Sequence, residues 1–151
     1  MSAKLWTIPA ERMKAGKEHQ VPLSDTALAI VEKMAASQSG AFVFPGGKAG
    51  QPLSNMAFLM LLRRPGSDDL TVHGFRSSFR DWAAERTSFP AEVAEMALAH
   101  AVGDKVEAAY RRGDLFHKRR QLAEAWAKFC AAAPVPVSKG VPMRTVAAEP
   151  I

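Results

Sequence analysis

Cysteine and tyrosine each occur once in this 151-residue chain, as Cys130 and Tyr110. One cysteine cannot close an internal disulfide, and the N-terminus lacks the charged, apolar and small-residue order of a secretion signal. Together these predict an intracellular protein. No apolar run approaches the roughly 18 residues needed to cross a bilayer, so no membrane role is expected. There is no Cys-x-x-Cys and no His pair at i, i+4, the usual spacings of a metal site, so neither a metal nor another cofactor is expected.

What the chain does have is apolar material and positive charge. At 48% hydrophobic residues it can bury one real core, and the length does not accommodate a second full-sized domain. Twenty Lys and Arg stand against fifteen Asp and Glu, giving a net charge of +5 and a pI near 9.7. That balance favours a polyanionic partner.

The first residues read as a β-hairpin. Leu5–Ile8 and Gln20–Leu23 are extended in pattern and flank a polar, Gly-containing run with Arg12, Lys14 and Lys17. The tip is either a solvated turn or a basic finger held toward a phosphate. Ser24 is a candidate N-cap for a helix to about Ser37, with Leu28, Val31 and Ala35 on its core face. Residues 38–52 read as a Gly- and Pro-containing loop with a short extended stretch from Phe42 to Phe44. Ser54 is the next candidate cap, before a run that is apolar nearly all round and therefore expected to be buried. Arg63-Arg64-Pro65-Gly66 ends it.

Thr71 to Arg112 carries the groups with chemistry. On a helix from His73 to about Arg86, Phe75, Phe79 and Trp82 fall on one side, while His73, Arg76 and Arg80 share a polar edge. Taken alone, such an edge is a solvated stripe. Pro90 opens a further helix in which Val93, Met96, Ala97 and His100 share a face, and there His100 reads as a core histidine. Tyr110, on a helix from about Asp104 to Arg112, reads locally as a buried structural tyrosine. Residues 111–120 then hold five Lys and Arg against a single Asp. Asp114 is a candidate N-cap for a helix to about Ala132, with Leu115, Leu122, Trp126 and Phe129 as its apolar contacts. From Ala133 the sequence lacks periodicity and reads as a flexible tail.

A Lys on a hairpin tip, then His-x-x-Arg, then the His of LAH, then Tyr resembles in its order the catalytic domain of the tyrosine recombinases, in particular phage and genomic-island integrases. The resemblance covers residues 5 to about 130. Its most specific parts are LWTIPAERMKAGKEHQVPLS, TVHGFRSSFRDWA and LAHAVGDKVEAAYRRGDLFHKRR. It implies a mainly α fold with a small β-hairpin or sheet, as residues 1–132 of a catalytic domain followed by a tail at 133–151. It also implies site-specific recombination of mobile DNA without a cofactor, in the bacterial cytoplasm at the nucleoid.

Carried over by position, Tyr110 is the nucleophile that becomes joined to a DNA 3′ phosphate, and Lys14 protonates the departing 5′ oxygen. Arg76 binds a non-bridging oxygen, and His73 and His100 complete the cradle and assist proton transfer. Arg12, Lys17, Arg80, Arg111 and Arg112 are expected DNA contacts. Double-stranded DNA is the implied partner, with self-association as a dimer or recombinase tetramer.

The family also uses an Arg on a helix upstream of the hairpin, which this sequence, read as a truncated domain, does not contain. Impaired cleavage is the resulting expectation. A remnant that binds DNA or a partner without catalysis is the alternative, and a helical domain with no DNA role is a third.

Overall fold

The computed structural model describes residues 4–37, 40–54, 56–64, 70–100 and 113–133. Within them lie a two-stranded sheet and five α-helices. The expected helix at 104–112, with Tyr110, Arg111 and Arg112, falls outside the described residues, as does the tail beyond residue 133. Among the described residues no helix is long and apolar enough to cross a membrane.

Strands β1 (Leu5–Ile8) and β2 (His19–Pro22) pair antiparallel, with Leu5 opposite Pro22 and Ile8 opposite His19. The second strand therefore starts one residue earlier than its pattern suggested. Leu23 extends the pairing by donating its N–H to the Lys4 carbonyl at 2.9 Å. A 3-10 turn at Ala10–Arg12 leads into a tight turn closed by the Gly16 N–H on the Met13 carbonyl at 2.9 Å. Gly16 sits at φ +62°, a left-handed conformation that costs a glycine little. This turn puts Lys14 and Lys17 at an exposed tip.

Helix α1 (Asp25–Ala36) begins as its cap residue predicts, because Ser24 Oγ accepts the Ala27 N–H at 3.2 Å. Its first amide, on Asp25, donates to Glu124 Oε1 at 3.0 Å, a carboxylate placed at the positive end of the helix dipole. Lys4 pairs with the Asp25 side chain. Helix α2 (Ala57–Arg63) starts three residues after the expected cap, with Met56 rather than Ser54 at the N-cap position. Ser54 contributes only its carbonyl, which accepts the Ala57 N–H at 3.0 Å.

The core gathers three helices: α3 (Val72–Arg86), α4 (Ala91–Ala97) and α5 (Phe116–Ala131). Trp82, Ala83, Val93, Ala94 and Leu122 are buried there, and Phe79, Phe89, Leu115, Ala125 and Trp126 pack around them. Thr71 caps α3 by accepting the Gly74 N–H on Oγ1 at 3.0 Å. The aromatic residues interlock. Trp82 and Trp126 have ring centres 5.0 Å apart, and Phe79 meets Trp126 edge-on at 5.5 Å, the offset geometries that aromatic quadrupoles favour.

Apolar pattern and observed structure part at three places. Helix α2 has no buried residue, and Phe58, Met60 and Leu61 are all exposed. Apolar character on all sides cannot bury a helix unless another element covers it. Phe75 is exposed, although Phe79 and Trp82 on the same side of α3 reach the core. Phe42 to Phe44 form no strand. The bridge in that loop joins Pro45 to Pro52 and is carried by their neighbours, the Gly46 N–H donating to the Gln51 carbonyl at 2.8 Å and the Leu53 N–H to the Phe44 carbonyl at 3.4 Å.

Candidate active site

The end of α4 determines where the candidate site residues meet. Ala99 lies at φ 54°, its N–H donates to Met96 O at 3.1 Å, and the His100 N–H donates to Glu95 O at 2.9 Å. This pair of bonds around a left-handed residue is a Schellman motif, a common way to satisfy the last carbonyls of a helix. Glycine is usual at the left-handed position. Alanine there costs about 1–2 kcal/mol. The motif folds His100 back over Glu95, so that Nδ1 lies 2.5 Å from Glu95 Oε2.

His100 is therefore no core histidine. Its side chain is 41% exposed and is held by a carboxylate rather than a backbone carbonyl. The helical periodicity that placed it with Val93 and Met96 stops at Ala97, so that face does not extend to position 100.

Arg76 meets the same turn from α3. Its guanidinium donates to the Leu98 carbonyl, two residues before His100. One turn further along α3, Arg80 Nε donates to Glu95 Oε1 at 2.5 Å. Glu95 thus holds Arg80 on one oxygen and His100 on the other. Arg80 first, and His100 second, hold its carboxyl below the usual value of 4.5. Arg80 is correspondingly held above its ordinary range by Glu95.

The structure brings Arg76, Arg80 and His100 together, with the first two on one edge of α3 and the last on the α4 turn. His73 is exposed in the first turn of α3, on the same edge as Arg76 by helical spacing. Lys14, Arg12 and Lys17 are exposed on the hairpin connection.

Sequence reasoning passed over three residues. Glu95 is the first. Reading Ala99 as the left-handed residue would have brought Glu95 and His100 together, because a Schellman turn stacks residues five apart. His19 sits on β2 against the Ala97 backbone. Burial lowers its pKa below 6.5, the nearby charge of Arg119 adds to this, and the Ala97 carbonyl opposes it. Arg119 itself, within the basic run, is 2% exposed. Its Nε donates to Asp114 O at 2.8 Å, Nη1 to Gln20 O at 2.6 Å and Nη2 to Asp114 Oδ2 at 2.5 Å. Asp114 also accepts the Phe116 N–H on Oδ1 at 3.0 Å. It caps α5 from one residue before the N-cap position, which Leu115 occupies.

Comparison with known proteins identifies the family of the chain. A prophage integrase, IntA, of Escherichia coli (strain K12) is 41% identical over 135 residues, covering 87% of this chain and 32% of the relative. The integrase of Shigella phage Sf6 is 32% identical over 128 residues, covering 82% of this chain and 33% of the relative. Prophage integrase IntZ of Escherichia coli (strain K12) is 35% identical over 123 residues, covering 80% and 30%. The chain therefore spans about a third of the length of these relatives. No solved structure gives a significant match. The sequence pattern of the phage integrase family matches residues 1–115, a range that takes in the hairpin, the His-x-x-Arg edge of α3, the turn at His100 and Tyr110, and by that match the chain belongs to the phage integrase family.

Proposed function

We propose that this chain carries the chemistry of site-specific DNA recombination through a covalent phosphotyrosyl intermediate. The Tyr110 hydroxyl gives up its proton to a histidine of the His73–His100 pair and attacks the scissile phosphorus, a Tyr–O–P bond to the 3′ phosphate forms, and the P–O5′ bond breaks. Lys14 gives a proton to the departing 5′ oxygen. Arg76 and the histidines His73 and His100 bind the non-bridging oxygens, where negative charge builds in the transition state. One phosphate ester replaces another, so rejoining needs no external energy source. Double-stranded DNA is the substrate. Arg12, Lys17, Arg80, Arg111 and Arg112 supply backbone phosphate contacts in the assembled complex.

The observation that carries this reading is the convergence of Arg76 and His100 on the turn after α4. Arg76 spends one donor on the Leu98 carbonyl, and a guanidinium has five N–H groups in a fixed fork. The carbonyl bond holds the fork still and leaves donors for a phosphate. Glu95 holds the His100 ring in the same way. Each preorganised donor of this kind is worth about 10²–10³-fold in rate.

The test uses nicked suicide duplexes with randomised sequence around the nick, incubated with the chain and resolved under denaturing conditions. A covalent protein–DNA adduct is expected, and Tyr110→Phe abolishes it. Salt-dependent duplex binding with no adduct from the parent chain would instead support a non-catalytic DNA-binding protein. An adduct of equal yield in Tyr110→Phe would overturn the assignment of the nucleophile.

A further inference from the structure

We propose that Arg119 is a positioning residue that registers the nucleophile's segment against the hairpin carrying the general acid; this rests on the recombinase reading above. All three guanidinium nitrogens are committed, and they reach two separate pieces of chain. Two bond Asp114, through its backbone carbonyl and its carboxylate, and the third bonds the Gln20 carbonyl on β2. Asp114 follows Tyr110 by four residues and Gln20 follows Lys14 by six. Four residues of chain reach at most about 14 Å, so fixing Asp114 sets an upper bound on how far the nucleophile lies from it. Fixing Gln20 in its pairing with Thr7 anchors the strand that leads back to Lys14.

The chemistry explains why such a tie matters. The nucleophile and the acid act on opposite sides of one phosphorus, and a misplacement of about 1 Å in such a pair costs around 10²-fold in rate. A buried charge is a poor way to gain stability, since desolvation of the ions offsets much of their attraction. A forked guanidinium with every nitrogen bonded is instead a good way to fix geometry between two irregular backbone segments. The Phe116 ring, with its centroid 5.6 Å from the Arg119 guanidinium carbon, packs against the same group. His19, on β2 beside Gln20, adds a neighbour whose proton is disfavoured by burial and by Arg119.

Two variants and two readouts test this. Arg119→Lys keeps the charge and loses the fork. Asp114→Asn keeps the Oδ1 cap on Phe116 but puts an amide N–H₂ donor where Oδ2 accepted from Arg119 Nη2, so that bond is lost while the bond to the Asp114 backbone carbonyl stays; it serves if Arg119→Lys folds poorly. Leu122→Ala, in the core, controls for lost stability.

The first readout is the distance distribution between spin labels at Ala15→Cys and Gly113→Cys in a Cys130→Ser background. Ala15 is exposed at the hairpin turn, and a Cβ at Gly113 meets nothing within 4 Å. The second is the rate of suicide-substrate capture at saturating DNA, in chains without the labels.

Arg119→Lys is expected to broaden the distance and slow capture about 10²-fold, and Asp114→Asn to slow it about tenfold, with duplex affinity held within about twofold. Leu122→Ala is expected to leave the distance narrow and the rate per folded molecule unchanged. A narrow distance in Arg119→Lys, an unchanged capture rate, or an equal loss in Leu122→Ala would overturn the proposal. A parent chain that forms no adduct would overturn the recombinase reading and the proposal together, whereas the other outcomes overturn the proposal alone.

Discussion

The α3–α4–α5 unit and the stretch from Phe42 through α2 to Phe75 are both rich in apolar residues, yet they treat them differently. In the first, Val93 and Leu122 are fully buried and a net of aromatic rings closes around them. In the second, Phe42, Phe44, Leu53, Met56, Phe58, Met60, Leu61 and Leu70 all stand exposed. The difference teaches that hydrophobic pattern sets which face of an element is available for burial, while the neighbouring elements decide whether burial happens. The site follows the well-packed unit: Arg76, Arg80, Glu95, His100 and Arg119 are all mounted on α3, α4 or α5 or on the turns that flank them.

The largest expected effect that sharpens this comparison is Leu122→Ala. Removing a fully buried leucine should cost about 2–5 kcal/mol in equilibrium denaturation, enough to take much of the stability of a small domain. Next comes Ala99→Gly, which relieves the left-handed alanine of the α4 turn. A gain of about 1 kcal/mol is expected, read as a higher denaturation midpoint, and a loss would contradict the Schellman reading.

A pH-dependent effect is expected from His19. Burial and Arg119 lower its pKa, so the folded state binds this proton less well than the unfolded chain does. The contribution is full above about pH 6.5 and is lost as the pH falls from there toward the folded value. Chemical denaturation between pH 7.5 and 5.5 should show a decline in the parent chain that flattens in His19→Gln; an identical slope in both would remove His19 as its source.

The smallest effect belongs to Phe58→Ser on α2. With Phe58 55% exposed, the change in stability should stay within about 0.5 kcal/mol. A cost like that of Leu122→Ala would break the comparison.

Much of this fold was legible in the sequence because local signals agreed with tertiary context. Ser24 and Thr71 act as caps, and the hairpin strands and the spans of α3 and α5 follow periodicity to within a residue or two. The start of α2 was not legible, because Ser54 lies outside the helix and uses its backbone carbonyl rather than its hydroxyl. The polar edge of α3 was readable as an edge, with only the ordered resemblance to give it a chemical meaning. Glu95 and Arg119 escaped for a physical reason. Their roles depend on partners brought close by a left-handed residue in one case and by a strand far away in sequence in the other. A positive run such as residues 111–120 does not reveal which of its arginines is buried.

Tyr110 is the proposed nucleophile, and peptide mapping of a trapped adduct tests that most directly. After nuclease and protease digestion, mass spectrometry should find a nucleotide joined through its 3′ phosphate to the peptide containing Tyr110. Attachment through a 5′ phosphate, or to any other residue, would contradict it.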